Sequence, residues 1–286
     1  MSVPVTDGLD HVNARLAYTK RTEQKSIVKV FPPSSGRGTI TAENIRVEMP
    51  IFDCRPLTDI LSLDEAGFQV VEEETDFDNF YNADSVRQYY YPQVIDLLKR
   101  HTGGFEVFVF DHNVRNQERA DLGEVGVREP VDGAHNDYTI SSGPRRVLEI
   151  LEQNGASSLG GKRAALINVW RPIVGPVQDF PLAICDARTA APDDFVPTRI
   201  EHFLEGNLES PHLVGEIYNF RHNPSHKWFY VSNMQPREAM LLKCFDSMSD
   251  DYACFTGHTG FRNPASSADA EPRQSIEART LVIFDE

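Results

Sequence analysis

The hydrophobic pattern of the first hundred residues predicts two short strands and one helix. Apolar and polar side chains alternate over residues 45–56, which predicts a strand, and residues 68–71 form a second short apolar segment. Residues 85–103 carry apolar side chains at helical spacing, and Pro92 marks the point where this helix kinks or splits. Residues 1–25 are polar and weakly patterned.

A β-rich pattern begins at residue 105 and continues to the end of the chain. It starts with a strand-like run at 105–110, and it is interrupted by one predicted helix that begins at Ser142. Further strand patterns, separated by turn residues, cover 164–173, 181–185, 213–221, 227–232, 238–245, 253–261 and 275–284. Many short strands with few helices are typical of a jelly roll or barrel-like double sheet. We therefore predict a mainly β fold with flanking helices.

The length of the chain fits a single domain with one sizeable core. Within its 286 residues, we expect residues 1–104 to form an N-terminal strand and helical cap and residues 105–286 to form the β core. The four cysteines include no CxxC pair and are interpreted as reduced thiols of a cytoplasmic protein.

Composition and net charge limit the classes of molecule that the protein is expected to bind. A hydrophobic content of 40% and a charged content of 25% are those of an ordinary globular protein. The formal net charge of −15 argues against binding to nucleic acid or to an anionic membrane, since both require basic patches. No apolar run approaches the roughly 20 residues needed to cross a bilayer. A small-molecule partner is therefore expected, while the oligomeric state stays open.

One short segment offers metal-ligand chemistry. In a strand, side chains at positions i and i+2 leave the same face, so His135 and Asp137 are expected to point together. One imidazole and one carboxylate are two thirds of the facial triad that holds non-haem Fe(II). Taken alone, the pair is equally consistent with an imidazole and a carboxylate that stabilise a strand.

The C-terminal region supplies the missing groups. His258 lies on a strand-like run far from the pair, as a third ligand from another strand of a β fold must. Arg273 and Ser275 are again i and i+2, and a guanidinium beside a hydroxyl suits a carboxylate such as the far end of 2-oxoglutarate. Arg279 is a rival anchor, but no serine follows it two residues later.

These motifs resemble those of the hydroxylase/desaturase family of fungal and bacterial secondary metabolism, which is related to Fe(II)/2-oxoglutarate dioxygenases. The segments that carry the resemblance are HNDYT (135–139), NVWRP (168–172), LKCFDS (242–247), HTGF (258–261) and PRQSIE (272–277), with weaker similarity at FDHNVR (110–115) and YYP (90–92). The resemblance runs from about residue 45 to the C-terminus. Where the family often has alanine, this chain has Gly260, which is expected to widen the pocket slightly.

The resemblance implies a double-stranded β-helix of the cupin-like, jelly-roll type. It also implies iron at His135, Asp137 and His258, and 2-oxoglutarate near Arg273. The expected reaction is hydroxylation, desaturation or cyclisation of a small metabolite, with O2 consumed and succinate and CO2 released. Asn168, Trp170, Arg171 and Tyr138 are candidate substrate contacts.

Two other functions stay open on the residues alone. The same three ligands serve metal-dependent, cupin-like isomerases or lyases that use no 2-oxoglutarate. A small-molecule-binding module without catalysis is the second alternative, and it predicts no stoichiometric Fe(II) binding.

Overall fold

Two facing β-sheets of ten and six strands build most of the protein. The structure is a computed structural model that describes residues 6–20, 26–32, 35, 37, 39–40, 43–248 and 253–285. The strands are β1 (His11–Thr19), β2 (Ser26–Val30), β3 (Thr39–Ile40), β4 (Asn44–Asp53), β5 (Phe68–Glu72), β6 (Glu106–Asn116), β7 (Val127–Arg128), β8 (His135–Asn136), β9 (Ala164–Pro172), β10 (Leu182–Cys185), β11 (Phe195–His202), β12 (Leu213–Phe220), β13 (Trp228–Tyr230), β14 (Glu238–Asp246), β15 (His258–Gly260) and β16 (Gln274–Ile283).

The larger sheet has the strand order β1-β4-β13-β10-β15-β8-β12-β11-β2-β3, and the smaller has the order β5-β14-β9-β16-β6-β7. Apolar side chains fill the space between the sheets, where Trp170 and Leu242 of the smaller sheet pack with Ile184 and Phe229 of the larger one. The two-sheet, mainly β architecture predicted from the sequence is confirmed. We call the face of the smaller sheet that looks toward the larger sheet its inner face, and the opposite face its outer face.

Helices flank the smaller sheet. They are α1 (Ala83–Ser85), α2 (Tyr91–Thr102), α3 (Gln117–Asp121) and α4 (Ser142–Gln153). Val94, Leu97 and Leu98 of α2 pack against Val169 and Leu241 on the outer face. No helix in the described ranges is long and apolar enough to cross a membrane.

The predicted helix at 85–103 is split, as Pro92 suggested. A five-residue π-helical turn, Val86–Tyr90, separates α1 from α2, and Pro92 lies in the first turn of α2. Proline has no amide hydrogen to donate, so it is tolerated in a first turn and disrupts a helix interior. The helix begins earlier than predicted, because Asn82 rather than Ser85 is the N-cap.

Some strands differ from the prediction. The weakly patterned N-terminal region contains β1, which pairs with β4 along its whole length, while residues 1–5 and 21–25 lie outside the described ranges. The predicted strand at 253–261 shrinks to the three residues of β15, and β11 was missed. The first 104 residues, which were expected to form an N-terminal strand and helical cap, supply β1 to β5 of the two sheets.

Candidate metal centre

Three donor side chains meet between the two sheets. His135 in β8 and His258 in β15 are direct partners on neighbouring antiparallel strands, and their ring centroids are 4.5 Å apart. Asp137 follows β8 by one residue, and one ligand atom from each of the three residues lies within 4.8 Å of the others. Two imidazoles and one carboxylate on one side of a site form the donor set of non-haem Fe(II) centres.

The pair His135 and Asp137 is brought together differently from the sequence-based expectation. The strand ends at Asn136, so strand alternation does not place Asp137. Asn136 is fully buried, and its Nδ2 donates to the carbonyl oxygens of Tyr138 at 2.6 Å and Cys244 at 2.9 Å. These bonds fix the backbone that turns Asp137 toward the two histidines.

Hydrogen bonding selects the ring nitrogen that His135 offers to a metal. Its Nδ1 lies 2.7 Å from the carbonyl oxygen of Gly133. A carbonyl oxygen only accepts, so Nδ1 carries the hydrogen and Nε2 keeps its lone pair. Nε2 lies 3.7 Å from Oδ1 of Asp137, on the side of the three-donor cluster.

Burial and neighbouring charges favour the protonation states that metal binding requires. Burial, with the charges of His135 and two arginines, lowers the pKa of His258 to about 3. For Asp137, burial acts to raise the pKa, but Arg279, the two imidazoles and the Asn168 hydrogen bond outweigh it and lower the pKa below its usual range. A neutral imidazole and an ionised carboxylate are the ligand forms that bind metal without first losing a proton.

The inner face beside the cluster carries three rows of polar side chains. Antiparallel pairing sets these rows across β6, β16 and β9: Arg115 with Ser275, Asn113 with Glu277 and Trp170, and Asp111 with Arg279 and Asn168. Among the described residues, five buried polar atoms in this region have no hydrogen-bond partner: Asn113 Nδ2, His258 Nδ1, Arg273 Nε, Ser275 Oγ and Arg279 Nε. Leaving such an atom unsatisfied costs about 1–3 kcal/mol, so the region is suited to a polar ligand.

Arg273 and Ser275, the residues predicted to anchor a carboxylate, each have a buried polar atom without a hydrogen-bond partner among the described residues. Arg273 is buried, and its Nη1 donates to the carbonyl oxygen of Phe180 at 3.0 Å. Its guanidinium carbon lies 5.3 Å from the ring centroid of Phe180 and 5.7 Å from that of Trp170. Burial, followed by the nearby charge of Arg115, lowers the pKa of Arg273 to about 9. A bound carboxylate would satisfy Arg273 Nε and Ser275 Oγ and would offset the buried positive charge.

Gly260 does not widen the pocket as expected. A Cβ at this position would collide with the Phe180 ring, so the space that glycine leaves is filled by that ring. The backbone carbonyl of Phe180 accepts a hydrogen bond from Arg273, and the Phe180 ring lies beside the Arg273 guanidinium. Gly260 therefore allows the ring that packs beside Arg273 to approach β15 closely.

The remaining candidates fall on both faces of the smaller sheet. Asn168 and Trp170 lie on the inner face, where Asn168 Nδ2 donates to Asp137 Oδ2 at 2.9 Å. Arg171 is on the outer face, away from the three donors, because successive side chains of a strand alternate. Its Nη1 donates to the carbonyl oxygens of Glu73 at 2.7 Å and Pro236 at 2.8 Å.

Tyr138 and Arg279 also have defined places. Tyr138 packs against the apolar cluster under α4, and burial raises the pKa of its phenol. Arg279, the rival anchor, lies 3.4 Å from Asp137 through its Nε, so the metal-site carboxylate already engages it. The sequence analysis did not identify Asp111 and Glu277 as site residues. The i, i+2 spacing of polar residues at 111–115 and 275–279 was the available signal.

Comparisons with known proteins cover nearly the whole chain. A family profile described as an oxidoreductase/YMDC permease-like domain matches residues 16–283. The hydroxylase/desaturase efuI of Hormonema carpetanum is 33% identical over 292 residues, with 96% of each chain covered. The Fe(II)/2-oxoglutarate-dependent dioxygenase nvfI of Aspergillus novofumigatus is 32% identical, with 81% of each chain covered. A solved structure of the iron and alpha-ketoglutarate-dependent endoperoxidase NvfI matches with a TM-score of 0.81 at 25% identity, covering 96% of this chain and 99% of that one.

Proposed function

The chain belongs to the fungal hydroxylase/desaturase family of Fe(II)/2-oxoglutarate-dependent dioxygenases, and we propose from this membership that it oxidises a small secondary metabolite. It is an oxidoreductase that depends on Fe(II) and 2-oxoglutarate and acts on a small molecule. In the proposal, His135, Asp137 and His258 hold the iron, and Arg273 with Ser275 holds the far carboxylate of 2-oxoglutarate.

The observation that carries the proposal is the coincidence of two features between the sheets. The three-donor cluster suits Fe(II), and buried polar atoms without partners lie beside it on Arg273 and Ser275. A metal site alone would also serve an isomerase or lyase. A buried guanidinium next to an unpaired hydroxyl adds the carboxylate anchor that a 2-oxoglutarate enzyme needs.

Bound Fe(II) supplies the coupling of O2 reduction to the conversion of 2-oxoglutarate into succinate and CO2, with oxidation of the substrate. The protein's residues bind the metal and 2-oxoglutarate, orient the ligand atoms and keep water away from the anchor. His135 presents Nε2 because Gly133 accepts from its Nδ1. Asp137 is kept ionised by its charged neighbours, and Trp170 and Phe180 keep water away from Arg273.

The outcome on the substrate is hydroxylation, desaturation or ring formation. The names of the relatives support this range, since they describe hydroxylase/desaturases and an endoperoxidase. A polyketide-like or amino-acid-derived metabolite is the proposed substrate class. Trp170 is the preferred substrate contact of the four candidates, because Arg171 lies on the outer face and Asn168 is engaged with Asp137. Tyr138 is retained as a second candidate.

The experiment is a coupled assay with the purified protein, Fe(II), 2-oxoglutarate, O2 and a panel of such metabolites. Succinate is quantified, and mass spectrometry looks for the gain of one oxygen or the loss of two hydrogens. We expect succinate to form with the wild type and not with Asp137→Ala. Equal succinate formation by the two proteins would refute the proposed site. Substrate conversion without succinate would instead indicate an isomerase or lyase.

A further inference from the structure

The two oxygens of the Asp137 carboxylate have different surroundings. Oδ1 lies 3.7 Å from Nε2 of His135, on the side of the three-donor cluster. Oδ2 accepts a hydrogen bond from Nδ2 of Asn168 at 2.9 Å and lies 3.4 Å from Nε of Arg279. Oδ1 therefore faces the other two donors, whereas Oδ2 contacts the amide of Asn168 and the guanidinium of Arg279 on the other side of the carboxylate.

The two groups that hold Oδ2 stand side by side on a rigid support. Arg279 of β16 is paired with Asn168 of β9, so both side chains leave the inner face in the same row. The backbone of these strands is bonded on both sides, since β9 lies between β14 and β16, and β16 lies between β9 and β6. A group positioned by a central strand is located more accurately than one positioned by a loop. This matters because Asp137 itself lies beyond the end of a two-residue strand.

Arg279 is held in turn by two other carboxylates. Its Nε lies 3.4 Å from Oε1 of Glu277, and its Nη1 lies 3.6 Å from Oδ2 of Asp111. Three carboxylates around one guanidinium keep Arg279 charged and restrict its orientation. Three carboxylates of the protein already surround Arg279, so it is less suited than Arg273 to the far carboxylate of 2-oxoglutarate, although the buried Nε of each arginine lacks a hydrogen-bond partner in the described part of the chain.

We infer that Asn168 and Arg279 form a clamp on Oδ2 that turns Asp137 so that Oδ1 is the oxygen offered to the metal. Both are positioning residues, because they act through Asp137. The inference rests on the proposed function, since it assigns Asp137 as an iron ligand. Removing an outer partner of a metal ligand weakens metal affinity by about 10–100-fold.

The test measures metal affinity of the metal-free protein directly, by calorimetric titration with Mn(II) and by the visible spectrum of the Co(II) complex. The variants are Asn168→Ala and Arg279→Lys, each of which removes a contact to Oδ2. The matched control is Arg237→Lys, because Nε of Arg237 lies 2.8 Å from Glu72 in an exposed ion pair on the same sheet. Affinity for 2-oxoglutarate is measured in parallel on each metal-loaded protein.

We expect Asn168→Ala and Arg279→Lys to weaken Mn(II) binding by about 10-fold or more and to change the Co(II) spectrum. Arg237→Lys should leave both unchanged. Unaltered metal affinity and spectra in both clamp variants would overturn the inference. A loss of 2-oxoglutarate affinity at unchanged metal affinity would also overturn it, because Arg279 would then be the co-substrate anchor.

Two further measurements separate the clamp from other causes. If a variant is less stable, thermal unfolding with and without Mn(II) is compared, since a clamp defect shrinks the metal-induced rise in Tm and a purely structural defect lowers both values equally. The wild type tests the proposed function independently. Absence of stoichiometric metal binding in the wild type would refute the metal site itself, whereas normal wild-type binding with unaffected variants would refute only the clamp.

Discussion

The two faces of the six-stranded sheet both carry buried charged side chains, but only those of the inner face look toward the three metal donors. On the outer face, Nζ of Lys243 lies 2.7 Å from Asp64 and 2.9 Å from Asp246, and Arg163 reaches the same two carboxylates. On the inner face, Nε of Arg273 has no hydrogen-bond partner among the described residues.

Both faces contain matched charges, since Arg279 on the inner face lies near three carboxylates, and both contain an arginine Nε without a partner in the described part of the chain, since Nε of Arg171 on the outer face also lacks one. The difference is that the unpartnered atoms of Arg273 and Ser275 lie on the face that looks toward the metal donors.

This contrast shows that burial of a charge alone does not indicate a site. A matched buried ion network holds elements together, whereas a cluster of unmatched polar atoms beside metal donors indicates binding chemistry. Two cavities, of about 290 Å³ and 190 Å³, are lined by residues of α2, of neighbouring segments and of the outer face, away from the metal donors. The one group of three metal-binding donors in the described ranges lies between the sheets.

The largest effect is expected from removing a donor between the sheets. Asp137→Ala should lower 2-oxoglutarate turnover by a factor on the order of a thousand, because the metal loses its carboxylate ligand. Succinate formation and bound Fe(II) per chain are the measurements. If Asp137→Ala kept wild-type succinate formation and wild-type bound Fe(II), the inner face would not differ from the outer face in function.

Removing a charge from the ion network of the outer face should lower the free energy of unfolding and leave the KM for 2-oxoglutarate unchanged. Lys243→Met leaves Asp246 buried with one cation fewer, and it should lower the free energy of unfolding by about 3 kcal/mol. Urea unfolding gives the stability, and the assay of the folded fraction gives the KM for 2-oxoglutarate. A changed KM at unchanged stability would show that the outer network reaches the site.

The co-substrate anchor is expected to give an effect of intermediate size. Arg273→Gln should raise the KM for 2-oxoglutarate by about 10–100-fold, since it removes a charge-assisted hydrogen bond to a carboxylate. Affinity for Mn(II) in the absence of 2-oxoglutarate should be unchanged. An unchanged KM would contradict the assignment of Arg273.

A pH dependence should follow from the buried histidine of the site. In the metal-free protein, His258 has a pKa of about 3 in the fold against about 6.5 when unfolded, so only the unfolded chain takes up its proton between these values. The free energy of unfolding should therefore fall as the pH drops below 6.5, by up to about 1.4 kcal/mol per pH unit. Urea unfolding from pH 7 to 4.5 checks this, and the slope should decrease in His258→Gln. An identical slope in that variant would contradict the account, and His11→Gln, at an exposed position, is the control.

The smallest effect on the KM for 2-oxoglutarate is expected from Arg171, which lies on the outer face although its neighbour Trp170 lies on the inner face. Arg171→Gln should change the KM for 2-oxoglutarate by less than about twofold, because the side chain points away from the donors. It should still destabilise the protein, since it donates to two backbone carbonyls. A large rise in KM without loss of stability would place Arg171 in the site after all.

The sequence predicted the parts of the site that depend on local spacing and residue type. His135, Asp137 and His258 were predicted from a short motif and a distant histidine, and the structure brings one ligand atom of each within 4.8 Å of the others. The assignment of Arg273 and Ser275 as the carboxylate anchor, made from an i, i+2 pair, stays a prediction. The sequence could also have separated Trp170 from Arg171, because adjacent strand residues point to opposite faces.

Other features depended on pairing between distant strands. The role of Arg279 follows from its register with Asn168 and Asp111, and no local pattern shows which residues face each other across three strands. The brevity of β8 was unpredictable for the same reason, since its extent is set by its partners β12 and β15. The strand β1 was missed because its core side includes alanine beside Leu16 and Tyr18, which weakens the hydrophobic signal.

The most direct test of the central claim is an anaerobic titration of the metal-free protein with Fe(II) in the presence of 2-oxoglutarate, followed by visible absorption. When 2-oxoglutarate chelates Fe(II), a charge-transfer band is expected. We predict that this band saturates at one Fe(II) per chain in the wild type, is absent in Asp137→Ala, and requires more 2-oxoglutarate in Arg273→Gln. A wild type that forms no band, or an Asp137→Ala variant that forms the same band, would contradict this prediction.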